Sequence, residues 1–195
     1  VKDSGAAAAI VADARSGELN LTSANTTDND GASIQGKQEY FSLPSTAGNK
    51  LYYETRIKMS DVDQMDVLVG LTETFTTNPE NALASSNIIG FLLTDGSAVI
   101  AGVTEASDTA TTVTLDTTLS TLTNDTYVTL GFVATKANSD GNNKVDFYIN
   151  RKYAGTSTTN IPTANMKMMA MSVSGDATGQ KITTLDYMMG AQDRD

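Results

Sequence analysis

The residues able to do chemistry here are few in kind, since histidine, cysteine and tryptophan are all absent. Without His or Cys there is no Ser-His-Asp or Cys-His nucleophile and none of the usual zinc sites. Carboxylate chemistry and oxygen-ligated cations remain. The acidic cluster that stands out is Asp61-Val62-Asp63-Gln64-Met65-Asp66. Its D-x-D spacing could begin a calcium loop, because Ca²⁺ takes six to eight oxygen ligands. The EF-hand pattern needs Gly at its sixth position, however, and Asp66 stands there. A turn between two strands, with its acids in water, is the preferred reading. Asp28-Asn29-Asp30-Gly31 and the loop Asn138–Asn143 are likewise ordinary turn chemistry, each with an oxygen ligand to offer. No catalytic, cofactor or metal residue is assigned, and Ca²⁺ is the one cofactor kept open.

The elements that would position these residues are strands. Thr, Ser, Asn, Asp and Gly are abundant, and short segments alternate apolar and polar residues with the period of two of half-buried strands. The alternation predicts strands over Gly17–Ser23, Lys37–Leu43, Lys50–Met59, Met65–Glu73, Asn87–Thr94, Ser97–Val103, Asp125–Thr135, Lys144–Asn150, Arg151–Ser157, Met166–Ser174 and Gln180–Met189. In Lys50–Met59, Tyr53, Thr55 and Ile57 share one face, and Tyr52, Glu54, Arg56 and Lys58 the other. Met65–Glu73 is apolar almost throughout, as a strand covered on both sides would be. Asp95-Gly96 predicts a tight hairpin turn. Asn78–Ser85, with Pro79 and Glu80 at its start, predicts one helical turn. About eleven short strands with turn-rich connections imply an all-β, two-sheet sandwich or barrel in one domain. Residues 1–16 are weakly patterned and are expected to form an N-terminal arm, with residues 17–195 as the single domain. Val1 in place of Met leads to the expectation that something upstream was processed or omitted.

The formal charge of −10 disfavours nucleic acid and anionic membrane surfaces as partners. It suits a protein that must stay soluble at high concentration before assembly. No segment approaches the apolar length of a membrane span. The lack of cysteine fits assembly in a reducing compartment.

Two segments carry a resemblance. Tyr127–Ser157, with K-V-D-F-Y-I-N-R-K-Y-A-G-T-S at its end, and the closing T-L-D-Y-M-M of Thr184–Met189 resemble concanavalin A-like, laminin-G-like and glucanase-like jelly rolls. Asn150-Arg151 stands where those proteins often carry Asn-Gly, which predicts a turn of another kind. Tyr53–Leu71 (Y-E-T-R-I-K-M-S-D-V-D-Q-M-D-V-L-V-G-L), Ile89-Gly90-Phe91 and Asp186–Arg194 are similar, in order, to motifs of tailed-bacteriophage virion proteins. The resemblance implies an antiparallel jelly-roll sandwich acting as a structural protein of a phage particle. A capsid decoration or cement protein is expected, bound to the major capsid protein or other virion proteins. It would be made in the host cytoplasm, located on the virion surface, and assembled as a homo-oligomer, with a trimer the expectation. The alternative is a lectin-like carbohydrate-binding domain of a fibre or surface protein.

An enzyme is not expected. The glucanases of the superfamily place E-x-D-x-E carboxylates on one strand face, and retaining hydrolysis needs two carboxyl groups about 5–5.5 Å apart. No predicted strand offers that set: Glu54 neighbours Arg56 and Lys58 in an expected ion-pair row, and Glu73 is alone at a strand end. Tyr52, Tyr53, Tyr127, Tyr148, Tyr153 and Tyr187 are expected in the core or on the sheet surface. The expected contact elements are the arm, the loop Phe75–Ser86 and the Met-rich last strands. Met166, Met168 and Ala170 fall on one face, and Lys167, Met169 and Met171 on the other. One of these faces is core; the other is either core as well or an interface.

Overall fold

The computed structural model describes residues 1–11, 17–24, 27–75, 78–138 and 141–194. Among these residues thirteen strands form: β1 (Ala7–Ile10), β2 (Leu19–Thr22), β3 (Gly31–Gln35), β4 (Lys50–Met59), β5 (Met65–Thr72), β6 (Asn87–Leu93), β7 (Ala101–Ala106), β8 (Thr109–Val113), β9 (Val128–Thr135), β10 (Lys144–Ile149), β11 (Lys152–Ser157), β12 (Lys167–Ser174) and β13 (Ile182–Gln192). The larger sheet has the order β1-β2-β13-β4-β9-β10-β11, and the smaller β3-β12-β5-β6-β7-β8. Their strand pairs are antiparallel. The expected all-β, two-sheet sandwich is the observed architecture. Among the described residues helix is confined to a 3-10 segment at Pro79–Ala84, where one helical turn is predicted, and one turn at Thr117–Ser120 (α1). The Asp116 carboxylate caps α1 by accepting from the Thr118 N–H at 2.9 Å.

Three strands were not predicted, and one that was does not form. Lys37–Leu43 alternates correctly, but only Phe41 pairs, in an isolated bridge with Met166. The place beside β12 belongs to β3, because Gly31 lets the backbones approach: a Cβ there would lie 2.1 Å from the Ser172 carbonyl oxygen. Asp95-Gly96 does not close a two-residue turn either. Gly96 has φ +78°, but β6 and β7 pair only from Leu92 and Ala101 outward. The loop tip is instead tied to the β4–β5 corner, with the Gly96 N–H donating to the Asp63 carbonyl at 2.7 Å. The tight turn is one hairpin later, where Ser107 (φ +51°) and Asp108 (φ +63°) join the paired residues Ala106 and Thr109.

Alternation along β4 is as expected: Tyr53, Thr55 and Ile57 are buried, while Tyr52, Glu54, Arg56 and Lys58 face outward. Inward side chains of the two sheets meet in one core. Phe147 of the larger sheet meets Phe91 of the smaller edge-on at 5.3 Å between centroids, and Phe132 of the larger sheet packs on Phe147 at 6.3 Å. Burying each such ring contributes roughly 1.5–3 kcal/mol. The smaller sheet is also covered on its outer side, which explains the continuous apolar run of β5. Leu68, Ile88, Val103, Met169, Met171 and Val173 form a second cluster there, closed by Phe75 and by Ala82 of the chain's own 3-10 segment. Met166 and Ala170 belong to the main core. Both methionine faces of β12 are therefore filled from within the chain.

The first residues touch both sheets. The Val1 ammonium donates to the Ser33 carbonyl at 3.0 Å, Lys2 bridges Ala32, and the Gly31 N–H donates to the Asp3 carboxylate at 3.0 Å. The chain then crosses to the larger sheet, where β1 pairs with β2. Residues 12–16 of the expected arm lie outside the described residues.

Candidate functional site

The register of the larger sheet assembles a site that no single segment carries. On its outer face Glu54 of β4 has Met189 of β13 as one lateral neighbour and Gly131 of β9 as the other. Gly131 is in turn opposite Tyr148 of β10. One row thus reads Met189, Glu54, Gly131, Tyr148 across the sheet. The adjacent row holds Ala191, Tyr52 and Val133. Gly131 has no side chain to fill its place, and a Cβ there would sit 3.0 Å from the Tyr53 carbonyl oxygen. The result is a notch in the sheet face, part of a groove of about 360 Å³ lined also by Arg151. Tyr52 and Met189 border it and are 39% and 54% exposed.

Glu54 is held from two sides. The Tyr187 hydroxyl donates to its Oε1 at 2.6 Å, and an Arg151 guanidinium nitrogen approaches the same oxygen at 3.5 Å. Both contacts end on Oε1, so a ligand would meet Oε2. Burial, followed by the bond to Glu54, pushes the Tyr187 phenol above its ordinary value. The bond to Glu54 also raises the Arg151 guanidinium. Arg151 reaches this position from an unexpected turn. Asn150 (φ +50°) and Arg151 (φ +63°) join the paired residues Ile149 and Lys152. This is the tight left-handed turn that Asn-Gly would make, not a turn of another kind, and it is made with a non-glycine residue. The Asn150 side-chain oxygen accepts from the Thr129 N–H at 3.0 Å and pins the turn to β9.

The neighbouring groups are ordered. Tyr148 meets Tyr153 edge-on at 6.1 Å. The Tyr153 hydroxyl and the Thr156 hydroxyl lie 2.8 Å apart, and Thr156 donates to Asp146, which also pairs with Lys144 at 2.7 Å. Arg56 does not join Glu54 in a row. It pairs with Asp186 at 2.6 Å and lies 3.9 Å over the Tyr127 ring. Burial, with the Glu18 carboxylate alongside, pushes the Tyr127 phenol up to about 12.

The acids singled out in the sequence are dispersed. Asp61 binds the buried Lys181 ammonium at 2.9 Å, and Asp176 binds it at 3.4 Å from the β12–β13 loop. Asp66 accepts from the Asp95 N–H at 3.0 Å, and burial, with Asp95 and Asp28 nearby, raises its carboxyl. Asn29 takes the left-handed turn position (φ +62°). Glu73 accepts from the Asn87 side-chain amide at 2.6 Å. In the 138–143 loop, Asn143 accepts from the Ala137 N–H at 3.1 Å, and residues 139–140 lie outside the described residues. Among the described residues no three acidic side chains gather where a metal ion could be held.

Comparison with known proteins fixes the fold class. No family model matches the chain, and no curated protein matches it by sequence. Solved structures do match. An endo-1,3-β-glucanase from Streptomyces sioyaensis superposes with TM-score 0.65 at 12% identity, over 92% of this chain and 77% of that one. A β-1,3-1,4-glucanase (lichenase) derived from a mouse hindgut metagenome gives 0.59 at 15%, over 92% and 81%. The potassium-bound carbohydrate recognition domain of Emp46p gives 0.64 at 12%, over 97% and 92%. The chain has the concanavalin A-like jelly-roll fold of glucanases and lectin domains.

These neighbours correct the expectation that the chain is not an enzyme: glycoside hydrolases and an alginate lyase share its architecture, and catalysis is within the repertoire of the fold. A sheet face gathers groups from several strands, as Glu54, Gly131, Tyr148, Arg151 and Tyr187 show. Gly131 and Arg151 were the members missed by sequence reasoning. A glycine inside a strong strand pattern was the available signal for the notch.

Proposed function

We propose that the chain is a structural protein of a bacteriophage particle, a decoration or cement protein seated on the outer shell against the major capsid protein. It would assemble there as a homotrimer after synthesis in the host cytoplasm. The observation that carries this reading is the edge of the larger sheet, which no strand among the described residues covers. There β1 is the outermost strand, its sequence is Ala-Ala-Ala-Ile, and Ile10 is 76% exposed. Natural edge strands are usually blunted by charge, proline or a bulge, and this strand has neither a charge nor a proline. An open apolar edge suits strand pairing with a protein neighbour. The virion-like motifs support the same reading: Y-E-T-R-I-K-M-S-D-V-D-Q runs along β4 into the corner that Lys181 clamps. Many weak copies on a shell hold by avidity, and a charge of −10 keeps the free protein dispersed. Mixing the chain with undecorated shells and sedimenting them tests the reading. The chain is expected in the pellet and the edge variant Ala8→Asp/Ile10→Asp in the supernatant; a native chain that stays in the supernatant refutes it.

The groove favours a second reading, a lectin-like carbohydrate-binding domain. Its tyrosine wall and single oriented carboxylate suit a sugar, and structural neighbours are named as a carbohydrate recognition domain and β-glucanases. A glycan array with and without EDTA tests it. Specific binding supports the reading, and loss of binding in EDTA adds calcium to it; a blank array refutes it.

A further inference from the structure

We propose that the notch over Gly131 is a subsite for one neutral hexopyranose ring of a polysaccharide. Tyr52, Tyr148 and Met189 present its apolar face, and Glu54 and Arg151 bond its hydroxyls. The proposal deepens the carbohydrate-binding reading and rests on it. Ligand sites are concave and mostly apolar, with a few convergent polar groups, and this groove has that composition. A pyranose has the matching amphipathy: its axial C–H face lies on an aromatic ring or thioether, while its equatorial hydroxyls point to the rim. Gly131 sets the floor at the level of the sheet backbone, since it has no Cβ to stand against the Tyr53 carbonyl and the Glu54 side chain. Glu54 is pre-aimed, with Oε1 taken by Tyr187 and Arg151 and Oε2 left to accept a pair of hydroxyls. Such pre-orientation lowers the cost of ordering the site on binding.

Arg151 adds an independent observation. It occupies a left-handed backbone position (φ +63°) that glycine adopts without strain. Strained residues of this kind gather at ligand clamps and functional sites. Here the conformation delivers a guanidinium to the groove, which a glycine would not.

Other ligand classes fit less well. A purely apolar ligand would bury Glu54 and Arg151 without replacing their bonds to water. A metal ion would find one carboxylate with one oxygen engaged, far short of the oxygen set it takes. A nucleotide or uronate would bring negative charge to Glu54 on a chain of net charge −10. A neutral sugar meets none of these penalties.

Titration of the intact chain with laminarihexaose, cellohexaose and a hexauronate, followed by calorimetry and by backbone amide NMR shifts, tests the proposal. A neutral hexaose should bind and shift the amides of Gly131, Tyr148 and Arg151. Tyr52→Ala and Glu54→Gln should each raise its Kd about tenfold, the change that 1.4 kcal/mol produces, whereas Val99→Ala on the smaller-sheet side leaves it unchanged. If a hexaose binds but the shifts fall elsewhere, or both site variants bind as the native chain does, the subsite is wrong and the carbohydrate reading stands. Preference for the hexauronate overturns the neutral assignment. No binding of either neutral hexaose overturns the subsite, and a blank glycan array beside it overturns the carbohydrate reading as well. The native-chain shifts decide the matter even if a variant fails to fold.

Discussion

Gly102 of β7 and Phe147 of β10 face each other across the sandwich, and their contact gives a sharp test of how the sheets are apposed. A Cβ on Gly102 would lie 3.0 Å from two Phe147 ring carbons and 3.1 Å from a third. Unstrained carbon contacts are about 3.5–4.0 Å, so the methyl of Gly102→Ala overlaps the ring by roughly half an ångström or more. Phe147 is fully buried between Phe91 and Phe132 and has nowhere to swing. Overpacking of this kind costs about 1–3 kcal/mol. In a domain of this size that lowers Tm by roughly 2–12 °C. Phe147→Leu alone costs about 1–2 kcal/mol, less than the roughly 3–5 of a Phe→Ala truncation. In the double variant the leucine vacates the volume that the new methyl occupies. The combined loss should therefore fall below the sum by about 1 kcal/mol, well outside the ~0.3–0.5 kcal/mol of independent sites. Urea unfolding of the four proteins, with m-values shown equal, measures this. Strict additivity would refute the register between the two sheets.

Three further outcomes follow from individual groups. Lys181→Met should destabilise by about 1–2 kcal/mol, a buried-pair loss discounted because Asp61 and Asp176 keep access to water. Burial pulls the Lys181 ammonium down, but its bonds to Asp61 and then Asp176 outweigh this and raise it. Its contribution is therefore complete below the unfolded value near 10.4 and is lost as pH rises through the folded value, so the Tm gap to the variant should close in alkali. For Asp66 the sign is reversed. Burial raises its carboxyl, so the folded protein is penalised above that value and relieved as pH falls; Asp66→Asn should raise Tm at pH 7 and give no advantage at pH 3. At the β10–β11 turn, Arg151→Gly should melt a few degrees above Arg151→Ala, because only the glycine relieves the left-handed backbone. Equal melting by calorimetry would contradict the turn geometry.

The fold was legible where one periodicity dominates. In β4 strict alternation sets both faces, and in β5 an unbroken apolar run announces burial on both sides. It was illegible where the deciding contact is remote. Nothing within Lys37–Leu43 reveals that Gly31, by fitting against the Ser172 carbonyl, draws β3 into that place. Ser107-Asp108 and Asn150-Arg151 adopt glycine-type turns without glycine, because the register on either side over-determines them. The site was half legible. Alternation put Tyr52 and Glu54 on the outer face, but their partners Tyr148, Gly131 and Met189 arrive by strand order. Strand order is set by the closure of the whole sandwich. The same gap misled the expectation about catalysis, since a row that runs across strands leaves no pattern along any one of them.

The most direct test of the central claim is the protein inventory of purified phage particles, quantified by mass spectrometry against the major capsid protein and matched to density on the shell. This chain is expected at a fixed, symmetry-related ratio to the shell protein, in trimeric density on the outer surface. Absence of the chain from particles, or its recovery only in free form beside them, would contradict it.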